Sequence, residues 1–526
     1  MTRRAGLLIP LFSFPSSSSW GIGDIGDIAP MAAWLKDAGH SVLQLLPLNE
    51  MADGEQSPYS ALSAMAIDPI YIRLPEVTEF AALGGEASLA GEDRGVLQTV
   101  RKSSVVDYRS IRRIKLKALT AAFEQFVEDE WKRNGARAAS LASFVAEESW
   151  WLQDYALYRA IQRREGKRPW TEWPEPLRRR DAGRLSHARE ELWREVLFFE
   201  YLQWLACEQW RDARAGARAK GVALFGDLPF MVNLDSADVW LRQQQFRLDV
   251  SVGAPPDAFS ASGQNWGVPA YDWDAMAKDD FAWIRERARR GAALFEGYRV
   301  DHLVGFYRTY CRPRDGSAPF FAPASRTTQL RLGERVLRLF AESGAGIIAE
   351  DLGTVPQFVR LSLKRLGVPG YRVFRWEREW STEGHPFCDP LKYAERSVVA
   401  SGTHDTEPMV TWWETAPRDE REAVLALPSV REPLTPEDVR AALDEPRLSH
   451  AVHEALLAAL YASRSNLTIM PLGDVFAWPD RINQPATVGD SNWTWRLPWP
   501  ADRLPLEPVA LERGRQLKAW TEKFGR

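Results

Sequence analysis

Cysteine is scarce in this chain: three among 526 residues. Cys207, Cys311 and Cys388 stand so far apart that they make neither a disulfide framework nor a zinc pattern, and a reducing, cytoplasmic setting is the expectation. Histidine is also sparse, at seven. No H-x-H or H-E-x-x-H spacing occurs, so no metal site is expected. A phosphate-binding G-x-x-x-x-G-K-[ST] motif is missing, and GIGDIG (21–26) fits the dinucleotide pattern only loosely and opens no βαβ unit, so no cofactor is expected. No apolar run of 18 residues occurs, which excludes a membrane-spanning helix. The apolar stretch in MTRRAGLLIPLFSFP is interrupted by Pro10 and lacks an A-x-A-like cleavage site, so it does not read as a secretory leader. Charge of one sign is also lacking: 67 Lys and Arg against 71 Asp and Glu give −4, no global field for a nucleic acid.

Aromatic residues are abundant. The chain has 23 tryptophans, 23 phenylalanines and 13 tyrosines within an ordinary globular composition of 45% hydrophobic and 26% charged residues. A buried Trp needs a partner for its N–H. Two readings stay open: core packing in large helices (WLQDY, ELWREV, QWLACEQW), or a site for a ligand with flat apolar faces edged by hydroxyls, such as a sugar.

Short apolar runs ending in polar residues read as buried parallel strands: SVLQLLPL (41–48), GVALFGDLPF (221–230), EGYRVDH (296–302), AGIIAEDLG (345–353), YRVFRW (371–376), RSVVASGTHD (396–405) and LTIMPLGDVF (467–476), with DPIYIRL (68–74) as a weaker eighth. Helical patterns separate most of them. This α/β alternation predicts a closed (β/α)8 TIM barrel, with an open doubly wound sheet as runner-up. The alternation is interrupted three times: by a mainly helical insertion over 80–220, by a loop-rich insertion over 240–290, and by a polar helical insertion over 407–465. The expectation is one catalytic barrel domain over 1–526. Long excursions of this kind crowd the C-terminal ends of barrel strands, where active sites sit.

Three predicted strands end in acids: Asp301 after YRV, Glu350 and Asp351 in AEDLG, and Asp405 in GTHD. Any one of them could be a helix cap. Three at equivalent strand ends, two beside histidines (His302, His404), suit glycosyl transfer, in which an oxocarbenium-like transition state is flanked by a nucleophilic carboxylate and an acid/base carboxyl of raised pKa. Arg299, two residues before Asp301, shares its face of the strand and would hold it ionised. Zinc or iron bound by the histidines and acids is the rival reading of the same residues.

The ordered set RVDH (299–302), AEDLG (349–353) and SGTHD (401–405) resembles the three catalytic regions of the α-amylase clan. RRAGLLIPLFSFPSSSSWGIGDIGDI, SPYS (57–60), GDLPFMVNLDSADVW (226–240), GAPPDAFSASGQNWGVPAYDW (253–273) and NWTWRLP (492–498) narrow the resemblance to the 4-α-glucanotransferases called amylomaltase or disproportionating enzyme. The resemblance implies Asp301 as nucleophile, Glu350 as acid/base and Asp405 as transition-state stabiliser. It further implies Tyr59, Asp235, Arg299, His302 and His404 around the reacting sugar, with Asp257 and Trp266 (near Phe259, Gly263 and Gly267) in a loop over the acceptor. The implied substrates are α-1,4-glucans: maltooligosaccharides, amylose and glycogen. No metal, organic cofactor or separate C-terminal β-domain is implied. The sequence departs from the family pattern at Thr406, Glu407 and Pro408, and at Val268, Glu377 and Ala486. A hydrolase of the same clan and a non-catalytic glucan-binding protein are the alternatives.

Overall fold

The computed structural model describes residues 3–526 except Asp53, 257–261, Ala486, Val488 and Asp490. Eight strands, all parallel, close into a barrel in sequential order. They are β1 (Arg4–Leu8), β2 (Val42–Gln44), β3 (Ala223–Leu228), β4 (Gly297–Val300), β5 (Gly346–Ala349), β6 (Gly370–Val373), β7 (Ser397–Ala400) and β8 (Leu467–Pro471). β1 closes the ring by pairing with both β2 and β8. The fold is thus the (β/α)8 barrel, not the open sheet.

One strand assignment is corrected. The first barrel strand is RAGLL, and DPIYIRL is not a strand: Pro69–Tyr71 forms a 3-10 turn. Pro69 has no N–H for a ladder, and the Asp68 carboxylate caps the Ile70 N–H at 2.9 Å. The apolar character of this segment comes from packing, since Ile70, Tyr71 and Ile72 are all buried. Gly6 explains why so short a run as RAGLL fits the ring. A Cβ there would lie 2.6 Å from Val42 Cβ, so only glycine lets β1 and β2 approach.

Helices cover the strands. Ile28–Asp37 follows β1, Ala282–Leu294 precedes β4, Arg326–Glu342 joins β4 to β5, Gln357–Leu366 joins β5 to β6, His450–Ala462 precedes β8, and Pro508–Phe524 follows it. Between β2 and β3 lie Gly91–Lys102, Tyr108–Phe126, Ala136–Glu147, Leu152–Arg164, Ala182–Glu191 and the 27-residue Trp193–Ala219. Their apolar stripes face inward, and Trp204 and Trp210 on the longest of them are fully buried, as are Trp20, Trp240, Trp283 and Trp413 elsewhere in the chain. Between β3 and β5 the chain also builds an antiparallel sheet in the order Phe320–Ala322, Thr309–Pro313, Val250–Ala254, Gln264–Asn265. Residues 409–444 form four short helices before His450–Ala462. Among the described residues, no helix is long and apolar enough to cross a membrane.

Candidate active site

The site is assembled by strand register. In a parallel ladder, paired residues share a face, and Asp227 of β3 pairs with Arg299 of β4. Both point into the barrel and both are nearly buried. The Arg299 guanidinium donates to both Asp227 oxygens, at 2.8 and 2.6 Å, and its other terminal nitrogen lies 2.9 Å from Asp301. Two carboxylates therefore share one fixed cation. Asp301 follows β4 directly, its N–H bonded to the Leu228 carbonyl at 3.0 Å. Glu350 follows β5 in the same way, with its N–H on the Val300 carbonyl at 3.1 Å. Sequential barrel strands thus place the two acids side by side at the C-terminal mouth.

Their surroundings separate them chemically. Withdrawal from water pushes the Glu350 carboxyl up to about 7, and the negative charges of Asp301 and Asp351 add to that; Arg299 opposes it. Asp405 goes the other way. Burial would raise it, but His404, the Asn483 amide and Arg299 outweigh burial and hold it at about 2. The His404 Nε2 lies 3.2 Å from Asp405, and Asn483 donates at 2.6 Å. Arg481 clamps the Asp405 carbonyl at 2.7 Å. Glu350 is thus poised to carry a proton near neutrality, as an acid/base acting on a sugar must be, while Asp405 stays ionised.

Tyr59 ties the two sides together. Its hydroxyl donates to Asp227 at 2.8 Å and lies 3.1 Å from His404 Nε2. Its ring stacks on His404 at 5.4 Å and 20°. Its one proton goes to Asp227, so its oxygen accepts from His404. His302 is held in the left-handed region at φ +39, a strain that clusters at functional sites. Burial lowers its pKa to about 4, so the ring is neutral. The edge of Trp266 meets that ring at 4.8 Å, and Trp266 is itself 37% exposed.

The structure thus brings together Asp301, Glu350, Asp405, Tyr59, Arg299, His302, His404 and Trp266. Asp235 lies apart. Its carboxylate accepts from the Tyr158 hydroxyl at 3.1 Å and the Trp170 N–H at 3.0 Å, so it pins the loop after β3 to the helical insertion. Asp257 and Phe259 lie outside the described residues. Asp227, Arg481 and Asn483 were not singled out from the sequence. Asp227 had a signal, an acid inside the apolar run GVALFGDLPF. Asn483 falls in INQPAT (482–487), which resembles a late family motif, but nothing in that segment by itself marks a loop that folds back 78 positions onto Asp405. Thr406 braces the turn around Asp405, accepting from the Thr403 N–H and donating to the Thr403 carbonyl, both at 3.0 Å. Glu407 lies 3.6 Å from Arg375, and Glu377 lies 3.8 Å from Arg372.

A parallel barrel carrying carboxylates of split acidity around one arginine at its C-terminal mouth defines a barrel enzyme equipped for carboxylate nucleophilic and acid–base chemistry. Comparison with known proteins narrows the class. A family model described as 4-alpha-glucanotransferase matches residues 9–502. The 4-alpha-glucanotransferase of Thermus thermophilus is 34% identical over 534 aligned positions, covering 99% of each chain. That of Chlamydia pneumoniae is 31% identical over 512, covering 97% of this chain and 93% of the relative. The solved amylomaltase from Streptococcus agalactiae in complex with acarbose superposes with a TM-score of 0.82 at 28% identity, covering 100% of this chain and 99% of that one. The chain belongs to the 4-alpha-glucanotransferase family.

Proposed function

We propose that this chain disproportionates α-1,4-glucans by a retaining double displacement in which Asp301 is the nucleophile. An Asp301 oxygen attacks the anomeric carbon of the donor, while Glu350 gives its proton to the departing glycosidic oxygen. A covalent glycosyl-enzyme results, and the leaving glucan departs with a free 4-hydroxyl. Glu350, now a carboxylate, takes the proton from the 4-hydroxyl of an acceptor glucan. That oxygen attacks the anomeric carbon and Asp301 leaves, so two inversions retain configuration. Asp405 holds the sugar hydroxyls of the reacting ring. Arg299 holds the nucleophile in place at 2.9 Å, with Asp227 fixing its fork and Tyr59 fixing Asp227. The neutral His302 and the edge-on Trp266 border the acceptor side, where they hinder water from reaching the glycosyl-enzyme. Maltooligosaccharides, amylose and glycogen are the substrates, and the cytoplasm, where Cys207, Cys311 and Cys388 stay as free thiols, is the setting.

The observation that carries this reading is the Arg299 fork shared by Asp227 and Asp301 beside a Glu350 poised near neutrality. Incubation of the purified protein with maltotriose alone tests it. The expected products are glucose and a ladder of longer maltodextrins with no net gain of reducing ends. Glucose and maltose with rising reducing ends and no ladder would make the protein a hydrolase.

A further inference from the structure

An exposed tryptophan presents a large, flat apolar face to solvent, with its N–H at the edge. Among the described residues four tryptophans are exposed: Trp193 on the helical insertion, Trp266 beside His302, and Trp376 and Trp380 on the excursion after β6. Trp380 is the most exposed, at 68%.

The excursion is a hairpin with a braced base. After β6 the chain makes a 3-10 turn over Phe374–Trp376, and Arg378 then pairs with Phe387 in an antiparallel bridge. Below the bridge, the buried Phe374 ring stacks on Phe387 at 5.9 Å and meets the edge of Trp412 at 6.1 Å. The Arg378 guanidinium covers Phe387 and lies 3.5 Å from Glu420. The Glu379 N–H donates to the Pro386 carbonyl at 2.8 Å, and Lys392 holds the Glu379 carboxylate at 2.7 Å. Above the bridge, Trp380 leans on His385 with ring centroids 5.3 Å apart. His385 is in the left-handed region at φ +44, next to Gly384 at φ +78. A tip that was merely loose would have no need of such anchoring.

We propose that Trp380, backed by His385, is an outer stacking platform for long α-glucans, lying beyond the sugars that contact the carboxylates. The inference rests on the function proposed above. The hairpin is rooted in β6, between β5, which delivers Glu350, and β7, which leads to Asp405. The excursion therefore starts from the same rim as both acids, with Trp376 at its root and Trp380 at its tip. A single exposed ring braced on one side by His385 suits one sugar face with its rim of hydroxyls. It is far too small to be a protein interface, which needs about 800 Å² per partner.

The test is Trp380→Ala, read in two ways. In native gels containing glycogen, wild type should be retarded, and the variant should lose most of that retardation, binding about tenfold more weakly. In kinetics, the ratio of KM for amylose to KM for maltotriose should rise about tenfold, and Trp380→Phe should restore most of it. Unchanged retardation together with an unchanged KM ratio overturns the platform. So does an equal rise in KM for both substrates, which would mean a structural role. If wild type makes no maltodextrin ladder from maltotriose, yet glycogen retards it and Trp380→Ala abolishes that retardation, the platform stands and the transferase reading falls.

Discussion

Two of the charge clusters among the described residues are built differently. One is at the seam between the barrel and its helical insertion. There Asp68 takes both nitrogens of the Arg112 fork, at 3.0 and 2.6 Å, and the N–H groups of Met51 and Ile70 at 3.0 and 2.9 Å. Glu50 takes the Tyr155 hydroxyl and lies 3.0 Å from Arg159. Asp68 has four protein donors, and each Glu50 oxygen has one. The other cluster is the barrel mouth. Among the described residues, Asp301 has Arg299 as its side-chain partner, and Glu350 accepts from the Leu352 N–H at a long 3.3 Å. Buried carboxylates are normally satisfied, so lone pairs left open in the barrel are room for a substrate. Asp227 and Asp405 at the mouth are held by several donors, whereas Asp301 and Glu350, the two carboxylates proposed to react, keep open valence.

The comparison breaks first if the two clusters respond alike to loss of a charge. Asp301→Asn should lower transfer activity by about four orders of magnitude, as expected when a covalent nucleophile is lost. Urea unfolding of the same variant should stay close to wild type, because a group with so few protein partners holds little of the fold together. Full activity in Asp301→Asn would sink the nucleophile assignment. Asp68→Asn should do the reverse. It strips the counter-charge from Arg112 and should cost about 3–5 kcal/mol of stability in the same urea experiment, with kcat of the folded enzyme unchanged.

The contrast also explains what could be read from the sequence. Acids that end apolar strands stand out because the β period places them at one rim, so Asp301, Glu350 and Asp405 were legible, as was Arg299 two residues upstream on the same face. Asp227 was hidden because it sits within its strand, where the charge that justifies it comes from the neighbouring strand and only register reveals the pair. Asn483 and Arg481 reach Asp405 through loop closure, which leaves no periodic trace. On the side of the fold, RAGLL does not stand out as a strand whereas DPIYIRL does, although both are short apolar runs. What separates them is tertiary: Gly6 against Val42, and Asp68 committed to capping and to Arg112.

Glu350 sharpens the comparison through pH. Its carboxyl titrates near 7 in the folded enzyme against an ordinary 4.5, so kcat/KM for maltotriose should fall as pH rises through about 7, where the acid is lost. The sign for stability follows from the same shift. The folded state holds this proton more tightly than the unfolded chain, so the contribution is whole below about pH 4.5 and is lost as pH rises through about 7. Asp227→Asn should move the basic limb to lower pH, because Arg299, no longer balanced by Asp227, draws Glu350 further toward its ionised form. Activity at the optimum should drop by roughly a hundredfold, within the range for a misplaced supporting group. A limb that stays where it is would show that Arg299 does not set the acidity of Glu350.

The smallest expected effect compares the clusters most directly, because each contains a tyrosine whose hydroxyl donates to a buried carboxylate. Tyr155 donates to Glu50 and Tyr59 to Asp227. Replacing either by Phe removes one oxygen and keeps the ring, so the chemical change is the same at both places. A hydrogen bond to a charged group contributes about 1.5–3 kcal/mol. At the seam that loss should register as stability: Tyr155→Phe should shift the urea midpoint down while kcat/KM for maltotriose holds within about twofold, since nothing there meets substrate. At the mouth it should register as rate. Tyr59→Phe frees Asp227 and loosens the Arg299 fork, and a tenfold fall in kcat/KM corresponds to about 1.4 kcal/mol of lost transition-state stabilisation. Its urea midpoint should move less than that of Tyr155→Phe, because stacking on His404 survives the substitution. If the two variants lost stability equally and activity equally, open valence would not distinguish a working carboxylate from a structural one in this barrel.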